Sequence, residues 1–138
     1  MMTNTQVTIK IITIGYILTS ALALLSVSVM ALVNPQSVMD LVAVKLNNND
    51  AISSIRGVYG GLGITVFVSL IYMLVTQRLQ GLVFLMMLWG FYAVSRFLTS
   101  QVEGPLGSFG TTWFYIELTL AAIASVLLWA HFKFKVAR

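Results

Sequence analysis

Arg96 and Glu117 each stand inside a long apolar run, and Arg56 opens another in the stretch Ser54–Ile64, "SIRGVYGGLGI". An ionisable side chain in hydrocarbon costs several kcal/mol, so such groups usually turn toward neighbouring helices and pair. Arg56 is expected to turn inward with its glycines to partner Glu117, with Arg96 completing the group. Helical spacing adds aromatic neighbours to this group. Tyr59 lies beside Arg56, Trp89 and Tyr92 share the stripe of Arg96, and Trp113 precedes Glu117 by one turn. Two arginines against one carboxylate leave one positive charge, unless Glu103 folds over it. A surplus charge in an aromatic pocket suits a carboxylate, a phosphate headgroup or an electron-rich polar ligand. The candidate ligand-binding residues are therefore Arg56, Tyr59, Trp89, Tyr92, Arg96 and Glu117. The competing reading is that the arginines snorkel to the membrane surface and the aromatics form an interfacial belt.

Other chemistries find little support. The chain has no cysteine, which excludes disulfides, thiolate metal sites and thiol catalysis. His131 is the single histidine, beside Lys133 and Lys135 at the end of the last apolar run, and reads as an interfacial residue. Metal ligation lacks partners for it. A serine hydrolase lacks a base near any candidate nucleophile. The Gly60–Gly63 cluster follows no strand, so it is no nucleotide-binding turn. No catalytic residue, metal or cofactor is implied.

The elements that must position these residues are membrane spans. The 138 residues are 59% hydrophobic and 9% charged, which marks an integral membrane protein of one domain, residues 1–138. Charge-poor runs lie at about 11–33, 52–76, 79–100 and 111–132. Each is long enough to cross about 30 Å of hydrocarbon at roughly 1.5 Å per residue. A cleaved signal peptide fits poorly, because the first run is too long and no small-residue cleavage site follows it. The expected fold is all-α, an integral membrane four-helix bundle. Glu117 would sit about 9 Å inside the start of the fourth span, at a depth that Arg56 and Arg96 can reach.

The formal net charge of +4 does not point to nucleic acid, since the basic residues are scattered or flank the apolar runs. Lys10, Arg78, Lys133, Lys135 and Arg138 flank one face, against Lys45 and Arg56, with Arg96 near them, on the other. Both termini and the tight Gln77–Gln80 turn are thereby expected on the cytoplasmic side. Asn34-Pro35 reads as an N-cap followed by proline at the first helical position. Val38, Leu41, Val42 and Leu46 then recur at helical spacing, which predicts a short amphipathic helix on the outer surface between spans one and two. Asp50 is placed to cap the second span. Gln101–Gly110, with Glu103-Gly104-Pro105, reads as a loop.

Small residues mark contact faces between helices in lipid. Gly57 and Gly61 form a GxxxG pair with Gly60 and Gly63 beside them. Gly15, Thr19, Ala23 and Ser26 form a stripe on the first span, and Ala121, Ala124 and Ser125 one on the fourth. These glycines are expected to pack within the bundle or, alternatively, between two copies of the chain.

The order Asn34-Pro35, "RGVYGGLGI" from Arg56, "SRFLTSQVEGP" from Ser95 and then Glu117 resembles a bacterial domain-of-unknown-function family of small four-span membrane proteins. In that pattern Arg56, Tyr59, Gly60, Gly61, Arg96, Gly104 and Pro105 are the matching positions, and Glu103 stands where an aspartate would serve equally. The resemblance implies a four-helix membrane fold in the bacterial inner membrane and assigns no activity. A looser similarity is to DoxX-like four-helix membrane proteins, some linked to redox systems or to the assembly of other membrane proteins.

Three functions stay open. One is binding of a membrane lipid or a small anionic or polar ligand in an outer-side pocket. Another is an accessory role, in which an outer face docks a larger membrane protein. The third is an enzyme acting on a lipid or quinone. The orientation is testable directly. Cysteines placed at Asn48 and Ser108 are expected to react with an impermeant thiol reagent in intact cells, and one at Gln80 to be protected; the reverse pattern inverts the topology.

Overall fold

The computed structural model describes residues 3–136, so Arg138 of the orientation argument lies outside them. The described chain is helical, and each apolar run falls within one helix. These are α1 (Asn4–Val33), α2 (Pro35–Asp40), α3 (Asn49–Ile55), α4 (Leu62–Thr76), α5 (Arg78–Val102) and α6 (Ser108–Lys133). A π-helical turn, Arg56–Gly61, joins α3 to α4, so Asn49–Thr76 runs as one rod. Among the described residues, four helices are long and apolar enough to cross a membrane: Asn4–Val33, Asn49–Thr76, Arg78–Val102 and Ser108–Lys133. The protein is a multi-pass, all-α membrane protein. Helices suit that solvent because each satisfies its own backbone groups.

The helices start and stop where local chemistry requires. α1 ends at Val33 because the residue before a proline is pushed out of the helical region, and Asn34 is extended at φ −140°. Pro35 then opens α2 at the first position, where its missing N–H is not needed. Here the structure departs from the sequence pattern. The amphipathic spacing predicts helix as far as Leu46, yet α2 ends at Asp40. Gln36 explains the early stop. Its amide nitrogen donates to Asp40 Oδ1 at 2.7 Å and to the Val44 carbonyl at 2.9 Å, while its oxygen accepts from Leu46 N–H at 2.9 Å. One side chain thereby supplies the partners that further helix would have given. The cap of α3 is Asn48, which accepts from Ala51 N–H at 2.8 Å, and Asp50 sits in the first turn instead. A single residue, Gln77, separates α4 from α5. Gly104 turns the α5–α6 loop at φ +106°, a conformation open chiefly to glycine.

The chain forms two compact units, one taking in the chain up to Ile17 and from Met73 onward, the other Leu18–Tyr72. In the first unit α5 packs along α6. Buried residues on α5 are Gly81, Leu82, Leu85, Trp89 and Ala93, a row at helical spacing. The opposing row on α6 is Glu117, Ala124, Leu127, Leu128 and His131. The start of α1 is tied to α6 by polar bonds. Tyr16 donates to the Leu120 carbonyl at 2.8 Å, Thr13 and His131 meet at 2.9 Å, and Gln6 donates to the Phe134 carbonyl at 3.0 Å.

In the second unit, Ala31, Val38 and Met39 form an apolar core with Val27, Met30, Leu46 and Ile55 around it. The glycine block divides sharply. A Cβ on Gly60 would lie 2.6 Å from Leu32 Cδ2, and one on Gly63 would overlap the Ser28 hydroxyl, so α1 approaches closely at these positions. Gly57 and Gly61 have open space around them. On α1 the expected stripe of Gly15, Thr19, Ala23 and Ser26 is exposed, and the buried positions are instead Ile9, Thr13, Ile17, Ser20, Ala21, Ser28 and Ala31. The hydroxyls account for part of this difference, because Thr13 meets His131 and Ser28 donates to the Leu24 carbonyl at 2.7 Å. Polar groups with partners can be buried as readily as small ones.

Gly63→Leu is therefore expected to destabilise the protein by about 1–3 kcal/mol through overpacking against α1. Gly61→Leu is expected to stay within about 0.5 kcal/mol of the parent. Unfolding in mild detergent separates the two, and equal effects would contradict the packing described.

Candidate functional site

The site is built where α5 ends and α6 begins. A short loop makes these helices antiparallel, so the last turns of one face the first turns of the other. This brings Arg96 to Glu117. Arg96 Nε donates to Glu117 Oε2 at 2.7 Å and Nη2 donates to Oε1 at 3.0 Å. Both carboxylate oxygens thus accept from one guanidinium, the paired geometry that gives such contacts strength and direction. Glu117 is 3% exposed, whereas the Arg96 side chain is 25% exposed. The acid is enclosed and the base reaches the surface.

That asymmetry shapes what the site can do. The charges compensate each other, so the pair presents little net charge. A guanidinium carries five N–H donors, and Glu117 takes a bond from Nε and one from Nη2. The remaining edge of Arg96 lines a cleft of about 300 Å³, together with Ser100 and Gln101 of α5 and Thr111, Phe114 and Tyr115 of α6. The ring of Phe109 lies 5.8 Å from Arg96 Cζ, within cation–π range, and packs on Trp113 at 6.1 Å. Ser100 donates to the Phe97 carbonyl at 2.7 Å, and its oxygen accepts from the Gln101 amide nitrogen at 3.3 Å. The cleft offers donors, hydroxyls and aromatic walls. Among the described residues no cluster of His, Asp or Glu could hold a metal ion.

The other sequence-nominated residues take different places. Trp89 is buried on α5, with its ring 6.2 Å from that of Tyr92, and its indole N–H has no hydrogen-bond partner. Tyr92 is exposed. Glu103 is exposed at the C-terminal end of α5. Arg56 and Tyr59 are exposed in the second unit. Arg56 Nε donates to the Leu32 carbonyl at 3.2 Å, so its cation serves the end of α1, where carbonyls lack helical partners and the dipole is negative.

Sequence reading missed the pairing of Thr13 with His131. His131 is 4% exposed, Thr13 is wholly buried, and Nδ1 of the histidine has no partner. The available signal was a threonine and a histidine at matching distances from the same membrane face. Residues 118 positions apart cannot be matched by spacing alone.

Removing the carboxylate tests the pair. Glu117→Gln is expected to lower stability by about 1–3 kcal/mol, because Arg96 is left partly buried without its counter-charge. Adding Arg96→Gln to that variant is expected to cost less than the sum of the single changes, a coupling that unfolding in detergent measures.

The chain matches the family described as Domain of unknown function (DUF4345) over residues 12–130, which takes in all four long helices in whole or large part. No curated protein and no solved structure matches it. The chain belongs to that family.

Proposed function

From the site of this family member, we propose that the protein binds the polar group of a membrane lipid, or a small polar or anionic ligand, in the Arg96 cleft. The observation that carries this reading is the division of Arg96 between a buried carboxylate and an open cleft. A purely structural ion pair needs no cleft beside it. Compensation by Glu117 favours a ligand recognised by directed hydrogen bonds, such as an ester or amide carbonyl, a hydroxyl group or a singly charged phosphodiester. A compact dianion would gain less there, since the net charge offered is small. Aromatic walls and a position among apolar helix surfaces favour a ligand with an apolar body.

The basic-residue asymmetry supports termini on the cytoplasmic side of a bacterial inner membrane, with the cleft opening toward the outer leaflet. Binding, rather than catalysis, is the reading favoured, because no pair of groups in the cleft supplies an acid and a base to a bound molecule.

The test is retention. Protein purified in mild detergent is expected to carry lipid or another small molecule detectable by mass spectrometry after extraction. Arg96→Lys keeps the charge but removes the fork, and is expected to reduce the retained amount about tenfold while the protein stays folded. Retention unchanged by Arg96→Lys and Arg96→Gln would overturn the cleft as the site. A stoichiometric protein partner in place of any small molecule would favour an accessory role.

A further inference from the structure

The opposite end of the first unit carries a separate chemical feature. α1 begins there, α5 begins there, and α6 ends there. Thr13 of α1 is bonded to His131 of α6, and Gln6 donates to the Phe134 carbonyl, so Lys10 is held near the end of α6. Arg78 opens α5, which packs along α6. It lies 18 positions before Arg96, much as the end of α6 lies beyond Glu117, so it stands level with that end. Lys133 and Lys135 complete the group at the end of α6, and both are exposed. Lys133 Nζ rests 4.5 Å from the Trp129 ring centroid and 5.5 Å from that of Phe134, contacts that orient a cation without neutralising it.

Among the described residues of the first unit, no side-chain carboxylate lies at this end. The first unit's acidic residues are Glu103 and Glu117, and both lie at the other ends of α5 and α6. Glu117 precedes His131 by 14 positions on α6, or about 21 Å at roughly 1.5 Å per residue. That distance exceeds the screening length of about 8 Å at physiological salt. The last two turns of a membrane helix lie at the depth of lipid headgroups. Basic side chains at that depth meet phosphates, and each contributes about 1 kcal/mol when the lipid is anionic.

We infer that Lys10, Arg78, Lys133 and Lys135 form a binding surface for the phosphate of an anionic phospholipid, separate from the Arg96 cleft. Arg78 Nε donates to the Leu74 carbonyl at 3.2 Å, so its terminal Nη groups supply the N–H donors to phosphate oxygens, and the lysines supply the surrounding charge. Zwitterionic lipids fit less well, because their own cation is repelled.

Native mass spectrometry of the detergent-purified protein, with phosphatidylglycerol and phosphatidylcholine of the same acyl chains at equal amounts, tests this surface. The parent is expected to retain phosphatidylglycerol preferentially. The triple variant Arg78→Gln, Lys133→Gln, Lys135→Gln is expected to lose that preference by roughly a hundredfold, or about fivefold for each residue removed. Should the triple variant fold poorly, the exposed pair Lys133→Gln, Lys135→Gln reads the same effect at roughly twenty-five-fold. The pair Lys133→Gln, Lys135→Gln is expected to leave the amount of phosphatidylcholine retained unchanged, which separates this surface from the cleft. Millimolar inorganic phosphate is expected not to displace the lipid; displacement would identify a free-phosphate site instead and overturn the assignment. Equal retention of both lipids by the parent, or an unaltered preference in the lysine variants, would also overturn it.

Discussion

A carboxylate enclosed between helices in an apolar solvent is tolerable only beside a cation that reaches it with good geometry. Glu117 meets that condition through Arg96, whose Nε and Nη2 take both of its oxygens. Other features of the first unit follow from this need. α5 and α6 must be antiparallel and closely joined for the last turns of one to face the first turns of the other. The glycine at position 104 lets the connection be short. Phe109 must then cover the guanidinium, because a cation at this depth otherwise faces lipid. A cleft arises beside the pair as a consequence, since the arginine is committed on one side only.

The buried face of α6 extends this reasoning. It begins with Glu117, ends with His131, and holds Ala124, Leu127 and Leu128 between them. Polar anchors stand near both ends of that face, and the buried α6 side chains between them are apolar. The arrangement fastens α6 to α5 through Arg96 and to the start of α1 through Tyr16 and Thr13. It also explains how two unlike polar surfaces coexist on one small unit, a compensated donor-rich cleft at one end and a basic cluster at the other.

Spans were legible because length and the absence of charge report directly on a bilayer. That an acid in a span demands a base was legible too. The sequence pointed to Arg56 as the partner of Glu117 with Arg96 completing the group, whereas Glu117 takes both its bonds from Arg96 and Arg56 donates to the Leu32 carbonyl. What spacing could not supply was which helix faces meet. The small-residue stripe at Gly15, Thr19, Ala23 and Ser26 looked like a contact face, yet those positions are exposed and the buried face includes Thr13, Ser20 and Ser28. A hydroxyl with a partner competes with a small residue for burial, and the partner of Thr13 stands at the far end of the chain. The length of α2 failed for a related reason. Periodicity registers apolar positions, whereas the helix was ended by Gln36 bonding to Asp40, Val44 and Leu46.

The arginine beside the glycines has its own physical account. A π-helical turn carries an extra residue per turn and has poorer hydrogen-bond geometry, so it persists where packing or function favours it. In this chain it runs from Arg56 to Gly61, across Gly57, Gly60 and Gly61. Gly60 lies against Leu32, and a side chain there would separate the second half of α1 from the rod that passes it. Close approach has a consequence for α1. Its terminal carbonyls lose water before they gain helical partners, because Pro35 forbids another turn of the same helix. Arg56 sits one helical turn ahead of Gly60, at the level of that terminus, and donates to the Leu32 carbonyl. The glycine that permits contact and the arginine that satisfies the exposed helix end therefore belong to one arrangement. An uncharged residue at position 56 would keep the approach and leave the carbonyl without that donor. A larger residue at position 60 would move the carbonyl away from the guanidinium.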